Sequence, residues 1–376
     1  MHCWHGRFHL QIFKLKEFDL KASKRIDFII VGLGLAGACL ALQLRKRDKS
    51  VVVFDLPTNN RASAIAAGIF NPITGKRIAK TWMADELFPY LTTFYKEIEA
   101  NSGKRLFYPS DLYIPFRSVV EQNDWAVKSA DDSFSNYIKS IYTHSVFGDE
   151  VNDPLGGITL SQCGHIDTRV FISVTRDLLK NSDSYRQERF DESNMRVTDQ
   201  GITYKELEVN KIIYCNGIEV VAGRFFSWLP IIPLKGEVLT IQTPVNLNRI
   251  YNRGVYILKS EDHCYKVGAT YDLKNNLEGI TQSGRIELEA KLSDLLAIPY
   301  EVTHQDWGIR PSTRDRRLIF GEHPKERNIL LFNGLGTKGV SLAPYFSDQL
   351  ADYIIGAGDL NREANITRVK SLYSGL

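Results

Sequence analysis

Three glycines with G-x-G-x-x-G spacing, Gly32, Gly34 and Gly37, stand between an apolar, β-rich run (28–31) and a helix-forming stretch (36–47). A second apolar run (50–54) follows and ends in Asp55, 18 residues past Gly37. Each residue type has a physical task here. The first glycine permits a tight turn, the second lets backbone approach a pyrophosphate, and the third lets a helix sit close to a sheet. Leu35 and Ala36 belong to the same turn and are candidate backbone contacts. The free N–H groups and positive dipole at the helix start suit phosphate oxygens. A carboxylate at Asp55 accepts hydrogen bonds from ribose hydroxyls and repels a 2′-phosphate, so the motif favours FAD or NAD over NADP. The competing readings are an ordinary βαβ unit with a glycine turn, and a membrane-spanning helix. The uncharged run 28–42 has 15 residues and three glycines, short of the ~20 apolar residues a bilayer requires.

A second glycine-rich turn lies near the end of the chain. Asn333-Gly334-Leu335-Gly336-Thr337-Lys338-Gly339 follows an apolar run (329–333) and opens a helix from about residue 341. N–H groups at such a helix start suit negative charge developing on a reduced flavin; a plain strand–helix connection has the same composition. Lys338 reads as a solvated loop charge.

These turns need a frame, and the remaining pattern supplies one. Helical spacing is expected over 82–100, 168–179 and 281–296, and a buried strand over 211–216 leading to Gly217. Residues 106–160 read as short strands and turns, and 236–272 as three β-rich segments. The stretch 61–80 holds small residues, glycines and Pro72 without clean periodicity, as a loop lying against a flat ligand would. The expected fold class is α/β: a Rossmann-type dinucleotide-binding domain with an inserted antiparallel-sheet substrate domain. The expected partition is an N-terminal extension (1–25), a cofactor domain from 26–80, 160–232 and 308–376, and a substrate domain from 81–159 and 233–307.

Composition narrows the class further. The 376 residues, 43% hydrophobic, suffice for two packed domains. A net charge of +3 without a sustained basic stripe gives nucleic acid no independent support. Five scattered cysteines (Cys3, Cys39, Cys163, Cys215, Cys264) show no metal-ligand spacing and favour reduced thiols in a cytoplasmic protein, with no metal site. The leader 1–25 lacks the uninterrupted apolar core of a secretory signal and is assigned no function.

In order and spacing, these pieces resemble the D-amino-acid-oxidase-like family of FAD-dependent oxidoreductases, and within it the glycine-oxidase branch, over roughly residues 26–357. GLGLAG with Asp55 is similar to the family's FAD fingerprint, although the family usually carries glutamate at that acid. SAIAAGIFNP (63–72) looks like the loop passing the flavin, with Ser63, Ala67 and Gly68 at matching positions. KIIYCNG (211–217) resembles the strand that brings Gly217 to the pyrophosphate, and PLKGEVL (233–239) the crossing into the substrate sheet. NGLGTKGVSLAP (333–344) resembles the last flavin loop, with Gly336, Gly339 and Val340 as contacts. WGIRPSTRDRRLIFG (307–321) contains a G-[IL]-R-P motif whose arginine, here Arg310, grips the substrate carboxylate in the family. A planar guanidinium suits that task, since it holds a carboxylate bidentately. The alternative is a structural ion pair with Asp306 or Asp315. Tyr256, in VYILKSEDHCYKVGAT (255–270), stands at the tyrosine that faces substrate; a cross-strand aromatic is the other reading.

The resemblance implies an FAD-dependent oxidase or dehydrogenase acting on a small amine or amino acid at the C–N bond. It implies non-covalent FAD, because Gly308 stands near the position where one branch carries a flavin-linking cysteine. The electron acceptor is left open. Two other activities occur on the same fold. One is oxidation of 2-hydroxy acids or polyols. The other is oxidation of a wobble-uridine side chain in tRNA, for which NPITGKR (71–77) is similar to the flavin loop.

Overall fold

The computed structural model describes residues 25–58, 60–74, 78–198, 201–273 and 279–373. The leader 1–25 lies outside the described residues except for Arg25, as do residues 75–77 of the NPITGKR segment. In chain order, the elements that build the site are β1 (Arg25–Val31), α1 (Leu35–Lys46), β2 (Val51–Phe54), α2 (Thr168–Asn181), β3 (Leu207–Tyr214), β4 (Ile231–Gln242), β5 (Tyr256–Glu261), β6 (Cys264–Gly268), α3 (Gln282–Leu295), β7 (Glu301–Thr313), β8 (Ile329–Asn333) and α4 (Gly339–Ile354).

The first sheet is parallel at its centre. β1 pairs with β2 on one side (Ile30 opposite Val53) and β3 on the other (Ile30 opposite Ile213), and β3 pairs with β8 (Ile213 opposite Leu330). Their central residues (28–31, 51–54, 212–214 and 329–332) are apolar because both sheet faces are covered there. On one face Ala38, Leu42, Val340 and Phe346 of α1 and α4 join the core; on the other, Tyr204, Tyr214, Phe226 and Val369 do. The carboxyl ends of β1, β2, β3 and β8 therefore open on one edge, where ligands of such sheets bind.

The second sheet runs β7-β4-β6-β5 and continues through Ile250–Asn252, Leu112–Pro115, Gly157–Leu160 and Ile138–Tyr142. β7, β4, β6 and β5 pair antiparallel in that order. Side chains alternate as the pleat demands. Leu239, Ile241, Ile257, Tyr265 and Val267 pack against Leu288, Leu292 and Leu295 of α3. Tyr256 and Leu258 face the other way, toward the core of the parallel sheet.

Two local expectations need correction. Within 106–160 lies a helix, Val119–Ser129, where only strands and turns were expected. Its sole buried residue is Trp125, so it shows no apolar stripe. Within 61–80, a one-turn helix (Ala62–Ile65) and the short strands Ile69–Phe70, Ile73–Thr74 and Ala79–Lys80 replace a featureless loop. Among the described residues no helix is long and apolar enough to cross a membrane. No group of three or more His, Cys, Asp or Glu there could hold a metal ion.

Candidate active site

The glycine turn after β1 is shaped by close contacts. Gly32 has φ +95°, and a Cβ there would stand 2.9 Å from Asn216 Cα. A Cβ on Gly37 would fall 2.0 Å from the Gly32 carbonyl, so only glycine lets α1 pack this close. Gly34 differs: a Cβ there would meet only Ser63 Oγ, at 3.5 Å. That open space lies at the start of α1, which has neither a side-chain cap nor an acidic residue in its first turn. Its N–H groups and dipole are left for an anion. Leu35 and Ala36 form the buried start of that helix. The cradle fits a pyrophosphate.

Asp55 is 2% exposed and accepts a hydrogen bond from Leu33 N–H at 2.8 Å. Arg61 Nη1 lies 2.6 Å from the same carboxylate, and its Nη2 donates to the Leu56 carbonyl. This ion pair was not anticipated, and nothing in sequence spacing signals it. Among the described residues, Asp55 Oδ2 faces only the Tyr185 hydroxyl, at 3.4 Å.

The other predicted cofactor residues collect around this turn. Ser63 is buried beside Gly34, and Ala67 and Gly68 lead into Ile69–Phe70, which pairs with Gly164–Ile166. Gly217 follows β3, and its carbonyl accepts from the Asn333 side chain at 2.8 Å, which ties the middle loop to the last one. Gly336 N–H donates to the Pro311 carbonyl at 2.9 Å. Gly339 packs against Leu35, and the Val340 carbonyl accepts from Tyr95 Oη at 3.0 Å. Like α1, α4 begins without a side-chain cap or a first-turn acid.

Lys338 is not the solvated loop charge expected. It is partly buried and donates to Thr81 Oγ1 at 2.9 Å, and burial pushes its pKa down to about 8. Loop composition carries no record of this burial.

Arg310 sits on β7 between the two cofactor loops. Ile309 bridges to Arg61, and Pro311 accepts from Gly336. The guanidinium lies across Gly236 of β4, where a Cβ would come within 2.1 Å of Arg310 Nη1. Neither expected structural partner is used: Asp306 contacts His304, and Asp315 pairs with Arg368. Among the described residues Arg310 makes no ion pair and no side-chain hydrogen bond. Burial lowers its pKa, opposed by nearby Tyr256 and Tyr271. Tyr256 crosses Gly268 in the same manner, its hydroxyl 2.7 Å from where a Cβ would stand. Burial raises this phenol to about 12, so it is a neutral donor at ordinary pH. Gly236 and Gly268, both missed in sequence, are what let a guanidinium and a phenol lie flat on one sheet face.

The site therefore joins a glycine turn with room for a pyrophosphate, two uncapped helix starts and, beside a phenol, a guanidinium without a bonded partner among the described residues. The family model for FAD dependent oxidoreductases, DAO, matches residues 27–353. A glycine oxidase of Bacillus licheniformis is 26% identical, over 89% of this chain and 94% of that protein. The bifunctional protein ThiO/ThiG of Trichormus variabilis is 24% identical over 88% of this chain; the chain spans 52% of that relative's length. The crystal structure of glycine oxidase from Geobacillus kaustophilus superposes with a TM-score of 0.75 at 19% identity, covering 92% of this chain and 99% of that one.

Proposed function

Since the chain belongs to the DAO family of FAD-dependent oxidoreductases and is an enzyme of that class, we propose that it oxidises a small amino acid or amine at the C–N bond, with Arg310 holding the substrate carboxylate. The observation that carries this reading is the Arg310 guanidinium, laid across Gly236 with no acid among the described residues bonded to it. A buried cation without a protein counter-charge is costly, and a ligand carboxylate would satisfy it bidentately. Tyr256 adds a hydroxyl to the same carboxylate.

The chemistry supplied by bound FAD is hydride acceptance from the substrate α-carbon. The chain supplies orientation and electrostatics. Arg310 and Tyr256 fix one end of the substrate, so its α-C–H is presented in a single direction. The start of α4 offers N–H groups to negative charge. The start of α1, Asp55, Ser63 and Gly217 hold the dinucleotide. FAD is held without a covalent bond in this reading, and the two sheets correspond to a cofactor domain and a substrate domain of a cytoplasmic protein.

The test is an anaerobic flavin-reduction screen of glycine, other small amino acids, N-methyl amino acids, 2-hydroxy acids and tRNA. Bleaching by an amino acid is the expected result. Bleaching by hydroxy acids or tRNA alone overturns the substrate assignment. Acid treatment should release intact FAD; colour retained in the precipitated protein contradicts non-covalent binding.

A further inference from the structure

The reading above accounts for one charged end of a substrate, and the same sheet face carries a second cation. Lys266 alternates along β6 with Tyr265 and Val267, which enter the core against α3. It therefore shares the opposite face with Tyr256 and Leu258. The register places Lys266 between Leu258 and Thr240, two residues along from the row of Tyr256, Gly268 and Val238. The Arg310 guanidinium, over Gly236, lies two residues beyond that row on its other side. The two cations thus flank Tyr256. Four residues of strand span about 14 Å, and the flexible four-carbon stem of Lys266 shortens the gap its charge must bridge.

Lys266 is partly buried, and among the described residues it makes no ion pair and no side-chain hydrogen bond. Burial lowers its pKa, and the charged groups acting on it are Arg169, Asp167 and Asp306. Each also bonds elsewhere, and Asp306 stands opposite Val238, in the row of Tyr256. Asp167 caps α2 through the N–H groups of Arg169 and Val170, both at 3.0 Å. Asp306 faces His304 at 3.2 Å. Arg169 Nε donates to the Ala64 carbonyl at 2.7 Å. His165, stacked on Tyr108, is pushed down to about 4 by burial and is neutral at ordinary pH. Lys266 therefore has two carboxylates in its surroundings but, like Arg310, no bonded partner among the described residues.

We propose that Lys266 holds a second anionic group of the substrate. The preferred substrates are then amino acids, or N-substituted glycines, that carry two carboxylates. This rests on Arg310 binding the first carboxylate.

The test titrates the FAD-loaded protein with inert carboxylates, following the flavin absorption band. Succinate and glutarate are compared with butyrate, in wild type, Lys266→Met, Lys266→Arg and Arg310→Met. One dicarboxylate should bind wild type at least tenfold more tightly than butyrate. Lys266→Met should abolish that preference and leave butyrate affinity unchanged, which also reports an intact site. Lys266→Arg should retain most of the preference, and Arg310→Met should weaken every ligand. In turnover, Lys266→Met should lower kcat/KM for aspartate or iminodiacetate far more than for glycine. Equal losses for mono- and dicarboxylates, or no preference in wild type, overturn the inference while leaving the Arg310 reading standing. Butyrate binding that is indifferent to Arg310→Met overturns both.

Discussion

On the face of β4 that packs against α3, Lys235 and Glu237 are enclosed and committed to the protein. On the opposite face, Arg310 lies across Gly236 with no acid among the described residues bonded to it. Lys235 is 0% exposed, 3.4 Å from Glu237 and over the Trp307 ring. Glu237 accepts from Thr281 N–H (2.8 Å), Thr281 Oγ1 (2.7 Å) and Gln305 Nε2 (2.6 Å). The strand is the same and the charges are comparable; only one face pairs its cation with a protein acid and is complete in that sense, although Lys235 Nζ makes no hydrogen bond among the described residues. A completed face stabilises, and an incomplete one binds. The two should respond to mutation through different observables.

The largest effect is expected on the incomplete face. Arg310→Met should retain FAD and fold normally, but lose carboxylate substrates. Removing one partner of a buried ion pair costs about 3–5 kcal/mol, or roughly two to four decades in kcat/KM. Comparing an amino acid with its decarboxylated analogue checks the assignment. The amine should be far less affected, and equal losses would mean that Arg310 serves the fold or the cofactor.

The completed face should answer in stability. Glu237→Gln keeps the volume but leaves Lys235 buried without a counter-charge, which again costs about 3–5 kcal/mol, read as a lowered denaturation midpoint. FAD affinity and carboxylate binding of the remaining folded protein should be unchanged. A variant as stable as wild type but impaired in binding would reverse the roles of the two faces.

Asp55 stands between these extremes, since it is bonded within the chain through Leu33, Arg61 and Tyr185 yet holds the backbone of the glycine turn itself, through Leu33 N–H. Asp55→Ala should weaken FAD by about 1.5–3 kcal/mol, roughly ten- to a hundredfold in Kd. An unchanged Kd would reassign the acid to holding Arg61.

How far this was legible in the sequence follows the same division. The parallel core could be read because strands buried on both faces are apolar along their centres, as at 28–31, 51–54 and 329–332, and because G-x-G-x-x-G has fixed geometric tasks. Arg310 was visible through its motif. Its lack of a partner was not, since Asp306 and Asp315 stand close in sequence and Asp306 even shares its face of β7; only the fold shows them bonded to His304 and Arg368 instead. Gly236 and Gly268 look like ordinary strand glycines until the side chains crossing them are seen. The helix Val119–Ser129 buries almost nothing, so periodicity could not find it. Ser118 and Glu121 did signal it: Ser118 Oγ accepts from Glu121 N–H at 3.2 Å, and Glu121 reaches back to Arg117 N–H at 2.7 Å, much as in a capping box.

The smallest effect tests how the completed face is joined to α3. Thr281 is the N-cap of that helix: its Oγ1 accepts from Gly284 N–H at 3.0 Å while its hydroxyl donates to Glu237. Thr281→Ala removes both bonds, but the Thr281 N–H and Gln305 still reach Glu237, so the carboxylate stays satisfied. The expected loss is that of a helix cap, about 1 kcal/mol, with no change in FAD or carboxylate affinity. Thr281→Ser should recover most of it, because serine caps as well as threonine. A loss near that of Glu237→Gln would mean that the hydroxyl, rather than the carboxylate, holds this network together. A change in substrate affinity would mean that the two faces of β4 are coupled through the strand, and that completeness on one side sets the geometry of Arg310 on the other.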